Sequence, residues 1–302
     1  MTKKFHSNGK LLISGEYAIL DGALGLAIPT FYGQSLHLAP TTSGLLEWKS
    51  YDPNGRSWFT ATYDLGTLEI MATTGKATAK TLQGLLREAQ RLNPLLMKDS
   101  AGILGETHLE FPRNWGLGSS STLINNLAQW ARADPYTLLR NAFGGSGYDI
   151  ACARHNGPLT YRLVAGEPQV QEIDFDPIFK DALFFVHLNQ KKSSKAAIGA
   201  YRAQGGNSGD FVQKISAITQ KLIRVATLAE FEALLEEHEA IMAKALDLPP
   251  VKQRLFPDHP GVVKSLGAWG GDFVLASGDQ GCRDYFGSKG YPTVIPYGKM
   301  IL

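Results

Sequence analysis

The chain has 302 residues, 44% of them hydrophobic and 19% charged, which suits a soluble globular protein of about two domains. A formal net charge of +2 gives no ground for nucleic acid or an anionic membrane as a partner. Cys152 and Cys282 have neither CxxC nor metal-type spacing, no signal-length apolar core follows Lys3, Lys4 and Lys10, and the chain reads as a cytoplasmic protein with reduced thiols.

In chain order, Lys10 to Leu20 reads as a strand, a turn at Gly15, and a short extended or helical piece ending at the Asp21-Gly22 turn. Leu24–Thr30 and Tyr32–Leu38 resemble two further strands, and the aromatic stretch from Pro40 to Leu65, with Trp48, Trp58 and Phe59, reads as hairpins. Thr78–Arg91 carries Leu82, Leu85, Leu86 and Ala89 at helical spacing. A short strand is expected over His108–Phe111 and an amphipathic helix over Thr122–Ala133. Asp134-Pro135 then opens another helix, because proline is favoured at the first helical position. Leu159–Val164 reads as a strand, and Ala165–Pro168 marks a domain boundary, giving domains 1–166 and 167–302. Beyond it come a strand at Leu183–Leu188, helices over Asp210–Val225 and Leu228–Leu246, and a hairpin over Val263–Ser277. Strands and helices are intermixed throughout, so the fold class is α+β.

The chemistry centres on Gly116-Leu117-Gly118-Ser119-Ser120-Ser121. A strand, a glycine loop and a serine-capped helix N-terminus make an anion site, since free N–H groups and the helix dipole point the same way. Taken alone, the loop is equally compatible with a capped turn. It lacks the GxxxxGK[ST] pattern, and it departs from GxGxxG at Ser121, with Asp134 opening a helix where a Rossmann acid would end a strand. The scattered histidines offer no i,i+4 zinc pair, and no Gly-x-Ser-x-Gly elbow occurs. Lys10 reads as a snorkelling edge residue or a neutraliser of phosphate charge, and Asp149 as a turn residue or a base. The basic run Lys191, Lys192, Lys195 reads as a solvated loop or a capture site for an anionic substrate.

Three segments together resemble the GHMP kinase superfamily, the galactose, homoserine, mevalonate and phosphomevalonate kinases. Gly9–Leu20 is similar to its first motif, Pro112–Ser121 to its second and Lys264–Phe273 to its third, in order along nearly the whole chain. Gly15-Glu16-Tyr17-Ala18-Ile19-Leu20-Asp21, Gly145-Ser146-Gly147-Tyr148-Asp149-Ile150-Ala151 and Gly270-Gly271-Asp272-Phe273 most resemble the phosphomevalonate kinase branch. The chain departs from the pattern at Asn8, where proline is usual, at Ser121, where alanine is common, and at Trp269, where glycine is normal. Tyr136–Arg140 carries no acid in the region where mevalonate kinases place a magnesium-binding Glu.

The resemblance implies a two-domain fold, with an N-terminal domain like the second domain of ribosomal protein S5 and a ferredoxin-like C-terminal domain. It implies ATP and Mg2+ as cofactors and a small anionic substrate, phosphomevalonate first and mevalonate second, and it leaves room for a homodimer. Gly116, Leu117, Gly118, Ser119, Ser120 and Ser121 would wrap the ATP phosphates, with Ser120 as a magnesium ligand. Lys10 would stabilise the transferring phosphoryl group, and Asp149 would orient or deprotonate the acceptor. Glu16, Lys191, Lys192, Ser193, Ser194, Gly267, Gly270 and Gly271 would bind substrate. Diphosphomevalonate decarboxylation and a non-catalytic ligand-sensing role are the alternatives from other classes.

Overall fold

Alternation at period 2 builds the strands around the anchor loop. In the computed structural model, which describes residues 2–190, 199, 201–202, 209–267, 269 and 271–302, β3 (Leu45–Tyr51), β4 (Ser57–Asp64) and β6 (Ile103–Leu109) each bury every second residue. Those buried faces, with Leu46, Trp48, Phe59 and Ile103, pack on helices whose apolar stripes recur every three or four residues. Helix α1 (Lys76–Leu92) contributes Leu82, Leu85 and Leu86, and α2 (Ser119–Ala131) contributes Ile124, Leu127 and Ala128. Gly105 is required at the crossing of β6 by β3, since a Cβ there would lie 2.6 Å from the Trp48 ring.

The chain divides into two compact units. The first comprises Met1–Gly9, Tyr32–Arg113 and Leu117–Arg154; the second comprises Lys10–Phe31, Asn114–Gly116 and His155–Leu302. Strands β1 (Lys3–Ser14) and β2 (Gly25–Pro40) therefore each run through both. Within the first unit the strand order is β5 (Ile70–Thr73), β4, β3, β6, then residues 34–40 of β2. All these pairs are antiparallel except β3 with β6. Helix α3 (Pro135–Ala142) starts as expected: Pro135 occupies the first turn, and the Asp134 carboxylate accepts from the Thr137 N–H at 2.7 Å. Helix α4 (Tyr148–Arg154) follows, with Asp149 in its first turn.

Within the second unit, residues 25–27 of β2 pair with β7 (Leu159–Val164), and β7 pairs with β8 (Glu167–Glu172). Ala165 and Gly166, both at positive φ, form the two-residue turn of that hairpin. A second sheet runs β10 (Val263–Ser265), β11 (Phe273–Ser277), β9 (Leu183–His187), β12 (Val294–Pro296), all antiparallel. Helices α5 (Gly209–Leu222) and α6 (Leu228–Leu246) pack together, and α7 (Val251–Leu255), α8 (Cys282–Ser288) and α9 (Tyr297–Met300) complete the described helices. The α+β class expected from the sequence is observed.

Several local expectations change. Leu24–Thr30 and Tyr32–Leu38 form one continuous strand, because Phe31 stays extended. The strand before the anchor loop ends at Leu109 rather than Phe111, so Glu110–Leu117 forms the connection to α2. Trp269 is in the left-handed region, at φ 49°, and its ring fills a core with Tyr17, Tyr201, Phe211, Ile215 and Met242. Neither cysteine is in a disulfide, and both are buried. Among the described residues, no helix is long and apolar enough to cross a membrane.

Candidate active site

In the first unit, Gly118 is the residue that makes the loop. It sits before α2 at φ 89° and ψ 42°, a left-handed conformation that a residue with a Cβ adopts only under strain. The serines do not cap the helix as the sequence suggested. Gly118 occupies the cap position without a side-chain bond, Ser119 is already the first helical residue, and the Ser121 hydroxyl donates back to the Gly118 carbonyl at 2.8 Å. A glycine cap leaves the first-turn N–H groups uncovered by any capping side chain, which favours an anion there. Thr122 anchors the turn, its hydroxyl donating to the buried Gln34 Oε1 at 2.7 Å, and Asn126 Nδ2 donates to the Gln34 carbonyl at 2.9 Å.

Ser119 and Ser120 stand on the wall of a cavity of about 290 Å³. Trp58, Phe59 and Arg113 line it too, along with Thr78 and Thr81 of α1. The Arg113 guanidinium carbon lies 3.6 Å from the centre of a Trp58 ring, a cation–π stack. The Trp58 indole N–H is buried without a hydrogen-bond partner among the described residues. An aromatic wall with an unused donor, beside a glycine-capped helix, can receive a planar base at one end and phosphates at the other. The sequence reading treated Trp58 and Phe59 only as hairpin aromatics; the signal it passed over was an aromatic pair and an Arg flanking the glycine loop.

Asp149 belongs to the same unit. It is half-buried, and one carboxylate oxygen accepts the Ile150 N–H at 3.0 Å. Asn125 Nδ2 donates to the Ala153 carbonyl at 3.2 Å, which pins α4, and so Asp149, to α2 behind the serine loop. Tyr136, in the acid-free stretch of α3, has its hydroxyl buried without a hydrogen-bond partner among the described residues, and burial pushes its pKa up to about 12.

The second unit holds the remaining residues. Lys10 is half-buried on β1. Gly116 is at φ 66°, and a Cβ there would lie 2.1 Å from Asp272 Oδ2, so the Asp272 carboxylate fits only against glycine. Trp115 packs edge-on against Phe273 at 5.5 Å, and the His187 ring nitrogen bonds the Asn114 carbonyl at 3.1 Å, fixing 114–116 on the β9–β11 sheet. Gly267 ends β10 at φ 67°. The Gly271 carbonyl accepts from the Gln190 N–H at 3.1 Å, joining the third motif to the segment that leads into the lysine run. Lys191, Lys192, Ser193, Ser194 and Gly270 lie outside the described residues. Glu16 is buried, and its carboxylate is committed to Lys264.

No protein-family model and no curated protein sequence matches the chain. Solved structures do. The mevalonate kinase of Methanococcus jannaschii aligns over 97% of this chain and 96% of its own, with a TM-score of 0.71 and 14% identity. The Streptococcus pneumoniae phosphomevalonate kinase, solved with phosphomevalonate and AMPPNP, aligns over 95% of each chain with a TM-score of 0.68 and 16% identity. The Lactococcus lactis galactokinase, complexed with galactose, covers 98% and 94%, with a TM-score of 0.67 and 13% identity. All three are GHMP kinases, and this chain carries their two-domain α+β fold.

Proposed function

We propose that the chain is an ATP-dependent kinase of a small anionic metabolite, most similar in its reaction to phosphomevalonate kinase. The observation that carries this reading is the cavity of the first unit, where a glycine-capped helix and Ser119 and Ser120 share one wall with Trp58, Phe59 and Arg113. The solved S. pneumoniae relative with a bound ATP analogue supports the donor. The first-turn N–H groups of α2 would hold the nucleotide phosphates, and the Lys10 ammonium would stabilise charge on the γ-phosphoryl group during transfer. The acceptor oxygen attacks phosphorus as the bond to the ADP oxygen breaks. A phosphate acceptor is already ionised near neutral pH, so Asp149 then orients it; with an alcohol acceptor, Asp149 takes the proton.

Magnesium supplies charge neutralisation on the phosphates when bound. Among the described residues, no group of three or more His, Cys, Asp or Glu side chains could hold a metal ion. The first unit does offer the Ser120 hydroxyl at the head of α2, a donor that suits an ion carried in on the nucleotide with its own waters.

The test is ADP release with ATP, magnesium and each of mevalonate, phosphomevalonate, diphosphomevalonate and homoserine. Turnover is expected with phosphomevalonate, and turnover with mevalonate alone would move the assignment within the branch. Carbon dioxide release from diphosphomevalonate would make the chain a decarboxylase. A second reading, a ligand-sensing protein without catalysis, is favoured by Tyr136 standing in the stretch where relatives carry an acid. Silence with every acceptor, despite measurable ATP binding, would select it.

A further inference from the structure

Four ionisable side chains meet in the interior of the second unit. Glu16 comes from the turn after β1, His238 and Glu239 from the inner face of α6, and Lys264 from β10. Lys264 and His238 are 0% exposed, Glu16 1% and Glu239 3%. The Lys264 ammonium donates to Glu16 Oε1 and to the Ser265 carbonyl (2.6 Å), and lies 3.9 Å from Glu239 Oε1. Glu239 also accepts the Ser265 N–H at 3.2 Å, and the Ser265 hydroxyl donates to its Oε2 at 3.4 Å.

His238 brings no positive charge to this cluster. The Gly15 N–H donates to its Nε2 at 3.1 Å, so that nitrogen is an acceptor and the imidazole is neutral with its proton on Nδ1. Burial, and then the charge of Lys264, hold its pKa well below the ordinary range. The 3.3 Å approach of Glu16 Oε2 to Nε2 is therefore not an ion pair. Two carboxylates are left facing one ammonium. With both ionised, the interior would carry a net negative charge, which burial strongly disfavours.

We propose that Glu16, Glu239 and Lys264 form a positioning cluster that holds one proton, on Glu239, and that this proton keeps the Gly15–Glu16 turn locked to β10. Glu16, in direct contact with the ammonium, takes the negative charge. Glu239, 3.9 Å from the ammonium where Glu16 is in direct contact, takes the proton. The turn so held ends the strand that carries Lys10, proposed above for phosphoryl transfer, and β10 leads towards Gly267, expected above to bind substrate, so the cluster braces both segments. Its catalytic consequence rests on that kinase reading; its effect on stability does not.

Burial lifts Glu239 to about 8, with Lys264 and the hydrogen bonds from Ser265 opposing and Glu16 adding to the rise. Burial likewise raises Glu16, again opposed by Lys264. The groups facing Glu239 are thus Glu16 and Lys264, with His238 beside it on α6. The folded protein keeps a proton that the unfolded chain releases near 4.5. Stability from this proton is therefore full at acidic pH, declines as pH rises from about 4.5 towards about 8, and levels off beyond. Above that range an ionised Glu239 competes with Glu16 for Lys264 and loosens the turn.

The experiment compares the full-length wild type with Glu239→Gln and Glu16→Gln, measuring Tm across pH 5.5 to about 9 and kcat across the alkaline range. In Glu239→Gln a neutral amide replaces the protonated acid, so its Tm should gain on the wild type as pH rises, and the gain should flatten above about pH 8. Its kcat should lack the alkaline fall of the wild type, with KM for both substrates unchanged. Glu16→Gln leaves one carboxylate for one ammonium, so Glu239 should ionise and the pH-dependent loss of Tm should shrink there as well. Parallel Tm curves for wild type and Glu239→Gln would overturn the proposal, as would a Tm for Glu239→Gln that is lower by the same amount at every pH. An inactive chain with diverging Tm curves would sink the kinase reading and leave the cluster standing.

Discussion

The serine loop of the first unit and the lysine cluster of the second are both polar, yet they dispose of their donors in opposite ways. Around Ser119 and Ser120 the groups are left over: Ser120 is exposed, the cap at Gly118 carries no side chain, and the Trp58 N–H has no partner among the described residues. Around Lys264 the ammonium is used up, shared by Glu16, the Ser265 carbonyl and Glu239 within 3.9 Å, although the neighbouring His238 Nδ1 and Glu16 Oε2 are buried without a hydrogen-bond partner among the described residues. An unpaired polar group is costly when buried and cheap when exposed, so the exposed Ser120 hydroxyl and the uncapped first turn of α2 at the cavity, rather than the enclosed Trp58 N–H, mark a place for a ligand. Saturated donors in the interior mark architecture. The two lysines of the flanking motifs also differ in exposure, Lys10 half-buried and Lys264 fully enclosed.

The largest expected effect tests the working side of that division. Lys10→Met and Asp149→Asn should each lower kcat by about 10²–10⁴-fold while ATP binding, measured by calorimetry, persists. Near wild-type turnover in both would remove these residues from the roles proposed for them. Lys264→Met should act on folding instead. It strands Glu16 in the interior, and the unfolding free energy in urea should drop by about 3–5 kcal/mol. If Lys264→Met lost turnover but kept full stability, the contrast between the two lysines would fail.

Much of this was legible in the sequence, and the reasons differ from place to place. Helix α6 runs over Leu228–Leu246, as its apolar spacing indicates, because long periodic segments are the strongest local signal. Motif context singled out the glycine loop and Asp149 as candidates, and the helices that carry them, α2 and α4, pack together in one unit. Glu16 was not legible in its observed setting. Its partners Lys264 and His238 lie more than two hundred residues away, and nothing local distinguishes a carboxylate facing solvent from one enclosed by a distant lysine. The serine caps failed for a related reason: Gly118 supplies the left-handed turn itself, so the hydroxyls were free to point elsewhere. Trp58 comes to the cavity at an irregularity in the β3–β4 pairing, where Ser57 faces Tyr51 and Phe59 faces Ser50, which a run of hairpin aromatics does not disclose.

A smaller effect sharpens the idea that unused groups at the cavity await a ligand. Trp58→Ala removes an aromatic face and the partner of Arg113 while leaving the α2 loop intact. Stacking of a base on an aromatic ring is worth about 1–3 kcal/mol, so KM for ATP should rise by about 5- to 150-fold. The KM for the acceptor should stay near its wild-type value. Equal loss for both substrates would indicate collapse of the cavity rather than a lost base contact.

The smallest effect comes from a bond that is satisfied but exposed. The Asp134 carboxylate accepts from both the N–H and the hydroxyl of Thr137, each at 2.7 Å, at the solvent-facing start of α3. Were saturation alone what mattered, losing these bonds would cost as much as disrupting Lys264. Water, however, can replace the lost acceptor at an exposed helix start, whereas nothing replaces Lys264 beside Glu16. Asp134→Ala should therefore cost about 1 kcal/mol. For a protein of this size that lowers Tm by about 2–4 °C, with kcat and both KM values unchanged. A loss on the scale of Lys264→Met would mean that α3 is coupled to the helices behind the serine loop far more tightly than an exposed cap allows.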